Sequence, residues 1–509
     1  MTTSLSLLRG SITLSEALRD DNHILQQLSY PEQRQKLFEE LFTCRRQIES
    51  IASLHLGTPR ENCQMGNIEE WFHGSFNVCI PVHIKDSARR SKRVMIRIPL
   101  PYKIGEAQFP GNAEEKLRCE AATYIWIQAK CPTVPTPYLW GFGFPGGQSF
   151  TNLENVSLLS RLTWYFRRTM SWVFGRPIPC RYVGHRRNDC LRHGYLVIDY
   201  VEEGEMLSHS WKTSRHDQRR KANLFRDLSR VVLELSRLPL PRIGSFTIDN
   251  FGVLGLTNRP LTLQLQQLEN MGVPTNIARD QTYLATDEYL LDLLACHDSR
   301  ILHHPNSILH ESDGKGQLSA LTIMRSIMRH FASRDSNHGP FILTLTDLYH
   351  TNIFVDSEWH ITKIIDLEWA CVRPAEMLRP PHWLTDRDVD DINDKDLEEY
   401  CAELDEFMEI FEAEENRFAG AGISYTNLLR NVWKSGKFWY FAALDCPRGL
   451  YVIFDDHIQT MFAALDLKAF DEFNRSVWPY WGRNATEVIQ AKLKERELYV
   501  AKIKDAFAT

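Results

Sequence analysis

The sequence predicts an α+β chain of two lobes: a small antiparallel β-sheet lobe, then a larger and mainly helical one. Three observations carry this. The chain has 509 residues, beyond the length at which one hydrophobic core usually stops growing. Short apolar runs bounded by turn residues crowd into 71–200, the texture of strands. From 201 onward most segments repeat apolar residues at three- and four-residue intervals, the mark of helices with one buried face.

Taken in order, residues 1–70 read as an N-terminal helical extension, since Leu37 and Phe38 recur four residues on as Leu41 and Phe42. GSFNVCIPVHI is a turn leading into a strand. The charged turn KDSARRSKR then leads to a second strand, VMIRIP, so the two form a β-hairpin with a long loop. KLRCEAATYIWIQAK has helical composition, and the prolines of CPTVPTPYLWGFG end it in an extended connection to another strand. Residues 151–193 read as an insertion in which eight arginines meet two acids, interleaved with Trp164, Tyr165, Phe166, Trp172 and Phe174. The expectation there is packed aromatics and wet arginines. YLVIDYVEEGEML is a buried strand running into a polar linker, which closes the first lobe (71–200) and opens the second (201–509). Within the second, FILTLTDLYHTNIFVDSEWHITKIIDLEW interrupts the helices with strand–loop–strand texture.

Composition narrows the class. With 43% hydrophobic and 24% charged residues, collagenous and wholly disordered chains are excluded. A net charge of -6 gives no general pull towards nucleic acid. Eleven cysteines without a C-x-x-C pair suit a reducing compartment. The first residues meet Arg, Glu and Asp too early for a secretory signal, and no uncharged apolar run is long enough to span a bilayer. The expected location is cytoplasmic, with room for an organellar leader.

The central chemical feature is D-L-Y-H-T-N, which places Asp347 and Asn352 five residues apart, followed by Asp366 at the end of ITKIID. Phosphoryl transfer needs a carboxylate to take a hydroxyl proton and hard oxygen ligands to hold Mg²⁺ against phosphates. A short loop between apolar segments holds the base and the amide together, and the following strand delivers the second carboxylate. A D-x-x-x-x-N match alone is weak, because Asp and Asn also cap turns. Upstream, alternation in VMIRIP puts Val94, Ile96 and Ile98 on one face and Met95 and Arg97 on the other. A strand cation followed by a helix bearing Glu120 can form the ion pair that grips ATP phosphates.

The assembled order resembles the aminoglycoside phosphotransferase family of the protein-kinase-like fold, and most closely its fungal members of unknown substrate. The likeness rests on G-S-F-N-V (74–78), R-I-P (97–99), K-L-R-C-E-A-A-T (116–123), V-P-T-P, V-I-D-Y-V-E, P-R-I-G-S, G-P-F, T-D-L-Y-H-T-N-I-F-V-D and I-I-D-L-E-W-A, from about residue 70 to about 385. It implies Asp347 as catalytic base, Asn352 and Asp366 as magnesium ligands, and Arg97 with Glu120 as the phosphate-gripping pair. Gly74 and Ser75 would cover the phosphates, and backbone groups of Asp199, Tyr200 and Val201 would meet the adenine. Three departures stand out. The family's H-G-D is here Leu345-Thr346-Asp347, the phosphate loop holds only Gly74, and the strand cation is Arg rather than Lys.

Two further patterns bear on candidate ligands. The stretch from Asp386 to Glu415 holds fifteen acids against two bases; it reads first as a solvated helix face. In the resembled family, acidic surface receives cationic substrates. Cys180, His185, Cys190 and His193 have a spacing that matches no common zinc site. The expected function is therefore ATP-dependent phosphorylation of a small hydroxyl-bearing molecule with Mg²⁺, its acceptor unidentified. The alternative is a catalytically weak or inactive pseudokinase serving as a nucleotide-binding or regulatory module. No D-F-G or A-P-E segment follows Asp366, which disfavours a protein kinase.

Overall fold

The computed structural model describes residues 4–85, 93–186, 191–418, 422–463 and 465–508. An antiparallel sheet of eight strands forms early in the chain. Its order runs Cys63–Met65, Asn77–Ile84, Arg93–Pro99, Tyr195–Asp199, Leu139–Gly143, Gln148–Asn152 and Tyr182–Arg186, with Phe72–His73 also paired to Asn77–Ile84. The expected hairpin is present, with Val78 opposite Ile98 and Val82 opposite Val94. The charged turn at its tip falls largely outside the described residues.

Alternation along the strands builds two cores. Val94, Ile96 and Ile98 join Val78, Ile80 and Val82 against the helix Arg45–Leu56. The opposite face carries Phe142, Phe150, Leu196 and Ile198 into the main core, where the helix Asn112–Lys130 packs. That core continues into the helical part, built from Gln218–Ser236, Thr286–His303, Glu311–Ser326 and Asp394–Arg417 among others. The molecule is thus mixed, with a small antiparallel sheet and a helical part. Among the described residues no helix is long and apolar enough to cross a membrane.

Two boundaries differ from expectation. The sheet begins at Cys63–Met65, inside the supposed extension, and the helix Arg45–Leu56 covers one sheet face. Three residues are too few for alternation to announce a strand. The first residues instead form a hairpin, Ser4–Ser6 with Ser11–Thr13, whose Ile12 clusters with Ile24 of the helix Ile24–Thr43 and with Tyr499, Ile503 and Phe507 of the terminal helix. The segment 151–193 is only partly an insertion, because Gln148–Asn152 and Tyr182–Arg186 pair through five positions. The inserted helix is Leu158–Val173.

His55 ties the Arg45–Leu56 helix to the sheet. Its fully buried ring lies 2.9 Å from the Tyr195 hydroxyl and 2.8 Å from the Thr151 hydroxyl. Gly141 makes room for it, since a Cβ there would stand 2.1 Å from His55 Nδ1. Gly141→Ala is expected to lower stability by about 1–3 kcal/mol through overpacking, measured as a fall in the denaturant midpoint.

Candidate functional site

Two ladders bring the chemical loops together. Phe341–Leu345 pairs with Ala370–Pro374 so that Leu345 faces Ala370, and Ile353 faces Ile364 on the second ladder. The loops 346–352 and 365–369 therefore leave neighbouring ladder ends. The Thr346 hydroxyl donates to the Trp369 carbonyl at 2.6 Å, and Ile365 N–H donates to the Asn352 carbonyl at 3.0 Å. Asn352 Nδ2 donates to the Asp347 carbonyl (2.9 Å) and to its Oδ2 (3.2 Å). Among the described residues the amide oxygen accepts only a long contact from the Thr351 hydroxyl, 3.5 Å. Asp366 takes a left-handed conformation, φ 58°, uncommon for a residue with a Cβ.

Behind these loops lies a buried ionic network. Arg97 Nη1 stands 2.6 Å from Asp366 Oδ1 and 3.4 Å from Glu120 Oε1, while its Nη2 donates to Glu368 Oε2 at 3.0 Å. Lys116 Nζ meets Glu368 at 2.7 Å, Asn77 Oδ1 at 2.8 Å and Glu120 at 3.6 Å. The Arg97, Lys116, Glu120 and Glu368 side chains are no more than 3% exposed, whereas Asp366 keeps 33%. The expected Arg97–Glu120 pair is therefore the longest of Arg97's three carboxylate contacts. Sequence reading missed Lys116, Glu368 and Asn77. One signal was legible: Lys116 sits four residues before Glu120, on the same helix face.

Burial sets the protonation pattern. Desolvation pushes the Glu120 carboxyl up to about 7, with Arg97 and Lys116 offsetting only part of it. Burial also raises Glu368, but Lys116 and Arg97 more than offset that, leaving it below the ordinary value. Asp366 is raised by desolvation, with Arg97 opposing. Asp347 is pushed up to about 7, first by burial and then by repulsion from Asp366 and Glu368. A carboxylate poised there can take or give a proton near neutrality.

The remaining expected residues sit around this centre. Gly74 and Ser75 are exposed at the tip of the hairpin joining Phe72–His73 to Asn77–Ile84, with Gly74 N–H donating to the Asn77 carbonyl at 2.9 Å. A Cβ on Gly74 would meet nothing closer than 3.9 Å, so this turn imposes no steric need for glycine. Its base is tied down by Phe76, edge-on to Trp369 at 5.1 Å, and by Asn77 Nδ2, which donates to Glu368 at 2.7 Å. Asp199 lies three residues beyond Leu196, the register partner of Arg97, or roughly 10 Å along the strand. Its carboxylate accepts from Trp140 Nε1 at 2.7 Å and Tyr138 N–H at 3.3 Å. Arg93 lies 3.8 Å over the Tyr200 ring, and Val201 is half-buried.

A cleft of about 470 Å³ opens beside Asp347, lined also by Tyr349, Arg379, His382, Asp388 and Asp445. Arg373 and Arg379 both hold Asp445, at 2.7 and 2.6 Å. The acidic stretch divides here. Asp388 and Asp390 line the cleft, and burial with repulsion from Asp390 and Asp391 raises the Asp388 carboxyl. Along the helix Asp394–Arg417, by contrast, Glu399, Glu403, Glu406 and Glu414 pair with Arg215, Lys221 and Arg230. Part of that acidity is thus internal glue, while Glu398, Asp405 and Glu409 stay on a solvated face.

Among the described residues no three His, Cys, Asp or Glu side chains converge as a metal cage. Cys190 lies outside the described residues, and His193 instead stands 3.3 Å from Glu40. The Asn352 amide oxygen and the partly exposed Asp366 carboxylate are hard donors of the kind magnesium takes alongside water and phosphate. No family model and no curated protein matches the chain.

Lys116→Met would leave Glu368 and Asn77 without their shared cation and is expected to cost about 3–5 kcal/mol. Adding Glu368→Gln should recover part of that loss in a denaturation-based double-mutant cycle. Asp347 gives a pH signature. Its folded pKa is raised, so its favourable contribution is complete below about 4 and is lost as pH rises through about 7. Asp347→Asn should therefore gain stability over wild type across that window, on the order of 4 kcal/mol by pH 8, read as a widening gap between melting temperatures.

Proposed function

We propose that this protein is an ATP-dependent phosphotransferase of kinase-like, two-lobed architecture that phosphorylates a hydroxyl of a small molecule. The observation that carries the reading is Asp347. It is a carboxylate pushed up to about 7, hydrogen-bonded to Asn352, electrostatically coupled to Asp366 and open to a cleft. An acceptor hydroxyl in the cleft donates its hydrogen bond to Asp347 and then gives it the proton. The acceptor oxygen forms a bond to the γ-phosphorus as the bond to the bridging oxygen breaks, and ADP leaves. Asn352 and Asp366 would hold magnesium, which supplies charge neutralisation on the phosphates. Arg97 adds fixed positive charge beside them, and the Phe76–Trp369 and Asn77–Glu368 contacts hold the Gly74 hairpin over the site. Arg373, Arg379 and Arg448 of the cleft are paired with Asp445 and Asp21, which leaves Asp388 and Asp390 as the acids that would meet an acceptor bearing a cation.

One observation favours a second reading. Arg97 stands 2.6 Å from Asp366 Oδ1, occupying the carboxylate that magnesium would use, as suits a nucleotide-binding module with little turnover.

Magnesium-dependent nucleotide binding and ATP turnover, measured with a metabolite extract as acceptor source, separate the two. Wild type should bind ATP with magnesium and turn it over, with turnover rising with pH through about 7. Asp347→Asn should retain nucleotide binding and lose about 10²–10⁴-fold in turnover, and Asp366→Asn should lose the magnesium dependence of binding. Nucleotide binding without turnover in any extract would support the module. Absence of nucleotide binding by wild type would overturn both readings.

A further inference from the structure

The inserted helix Leu158–Val173 sits on the body by a narrow side, with most of its apolar residues facing outward. Its single buried side chain is Trp164, whose Nε1 donates to the Cys180 carbonyl at 2.9 Å, and Ser160 and Ser171 share that side as half-buried residues. At 100° per residue, the apolar stripe spans positions turned roughly 80–160° away from Trp164. On it Leu158, Leu162, Tyr165, Phe166 and Trp172 are 75%, 66%, 55%, 67% and 72% exposed. Phe174, just past the helix, is 67% exposed. A surface helix of a globular protein ordinarily does the reverse, and a contiguous apolar patch of this kind marks an interaction surface.

Charge selects the occupant. Residues 151–193 hold eight arginines and two acids in a chain whose net charge is -6. Arg167, Arg168 and Arg176 lie over the rings of Phe251, Trp164 and Phe174, at 5.6, 5.2 and 5.9 Å. Arg176 thus stays beside the exposed Phe174 and Arg167 beside the exposed Phe251, while Arg168 covers the buried anchor Trp164. Phe251, on a neighbouring loop beneath Arg167, is itself 67% exposed. A second copy seated on this face by two-fold symmetry would set arginines against arginines. A nucleic-acid strand would find cations and rings, but the aliphatic Leu158 and Leu162 offer nothing to phosphates or bases. The boundary of an anionic bilayer accepts all three components: leucines and aromatic rings among the upper acyl chains, arginines among the phosphates.

We propose that the helix Leu158–Val173, with Phe174 and Phe251, is a peripheral docking surface for anionic lipid membranes. The surface is independent of the phosphotransferase reading and stands or falls without it.

The test is cosedimentation of the full chain with sucrose-loaded vesicles of phosphatidylcholine, with and without phosphatidylserine. Wild type should pellet with the anionic vesicles at least about tenfold more tightly than with neutral ones, and high salt should weaken the association. Phe166→Glu combined with Trp172→Glu should abolish pelleting. Arg167→Glu combined with Arg168→Glu should remove the preference for anionic vesicles. Both variants should keep the wild-type melting temperature, because the altered side chains lie outside the core. Wild type that stays in the supernatant with both vesicles overturns the proposal, as does undiminished pelleting of the aromatic variant. Sedimentation equilibrium showing a dimer that the aromatic variant dissociates, without vesicle binding, would assign the face to self-association instead. Capture of an RNA homopolymer in place of vesicles would equally overturn it.

Discussion

Arg97 and Lys116 bring two positive charges into a place where water cannot follow, and Glu120, Glu368 and Asp366 meet them there. Moving such groups out of water is expensive, and only close pairing offsets it. The participants come from three separate elements: a sheet strand, the Asn112–Lys130 helix and the loop after Ile361–Ile364. None can move far without leaving a charge unpaired, so the network sets how the sheet, the helix and the helical part meet. Asn77 extends the constraint to the Gly74 hairpin by bonding both Lys116 and Glu368.

The same network shapes the field at Asp347. Two of its carboxylates, Asp366 and Glu368, raise the Asp347 pKa after burial has done most of the lifting. The cations do not cancel this, because Glu368 keeps its proton off through close contact with Lys116 while remaining an anion to Asp347. In the proposed reaction the arrangement has a direct use. A base near neutrality sits beside carboxylates that a divalent cation and Arg97 can share, so charge brought in by phosphates has compensation prepared.

What the sequence made legible follows from range. Asp347, Asn352 and Asp366 lie within twenty residues in strand–loop–strand texture, and the structure does bring them together. The alternation in VMIRIP correctly separated Arg97 from Val94, Ile96 and Ile98, because period-two patterning is local. Lys116 and Glu368 escaped notice because their pairing spans 252 residues (368 minus 116) and depends on burial, which no local pattern reports. The Asp394–Arg417 helix misled for the same reason. Its acids looked solvated, yet Lys221 and Arg230, distant in sequence, neutralise several of them. Cys63–Met65 was simply too short to read.

The inserted helix shows the opposite failure, where a sound prior met an exception. Aromatic-rich segments ordinarily bury their rings, and Trp164 does so. Its neighbours do not, although the helix is firmly attached. Ser157 caps it by accepting from Ser160 N–H, Arg161 bonds the Val156 carbonyl, and the strands on either side pair through five positions. Its apolar residues are therefore not exposed for want of order. A rigid element that holds leucines and aromatic rings in water gives up burial free energy of roughly 1.5–3 kcal/mol per large side chain. Such a deficit on a well-anchored helix is the ground for proposing that something covers the stripe, and the eight arginines of 151–193, two of them over the exposed rings of Phe251 and Phe174, argue for an anionic partner.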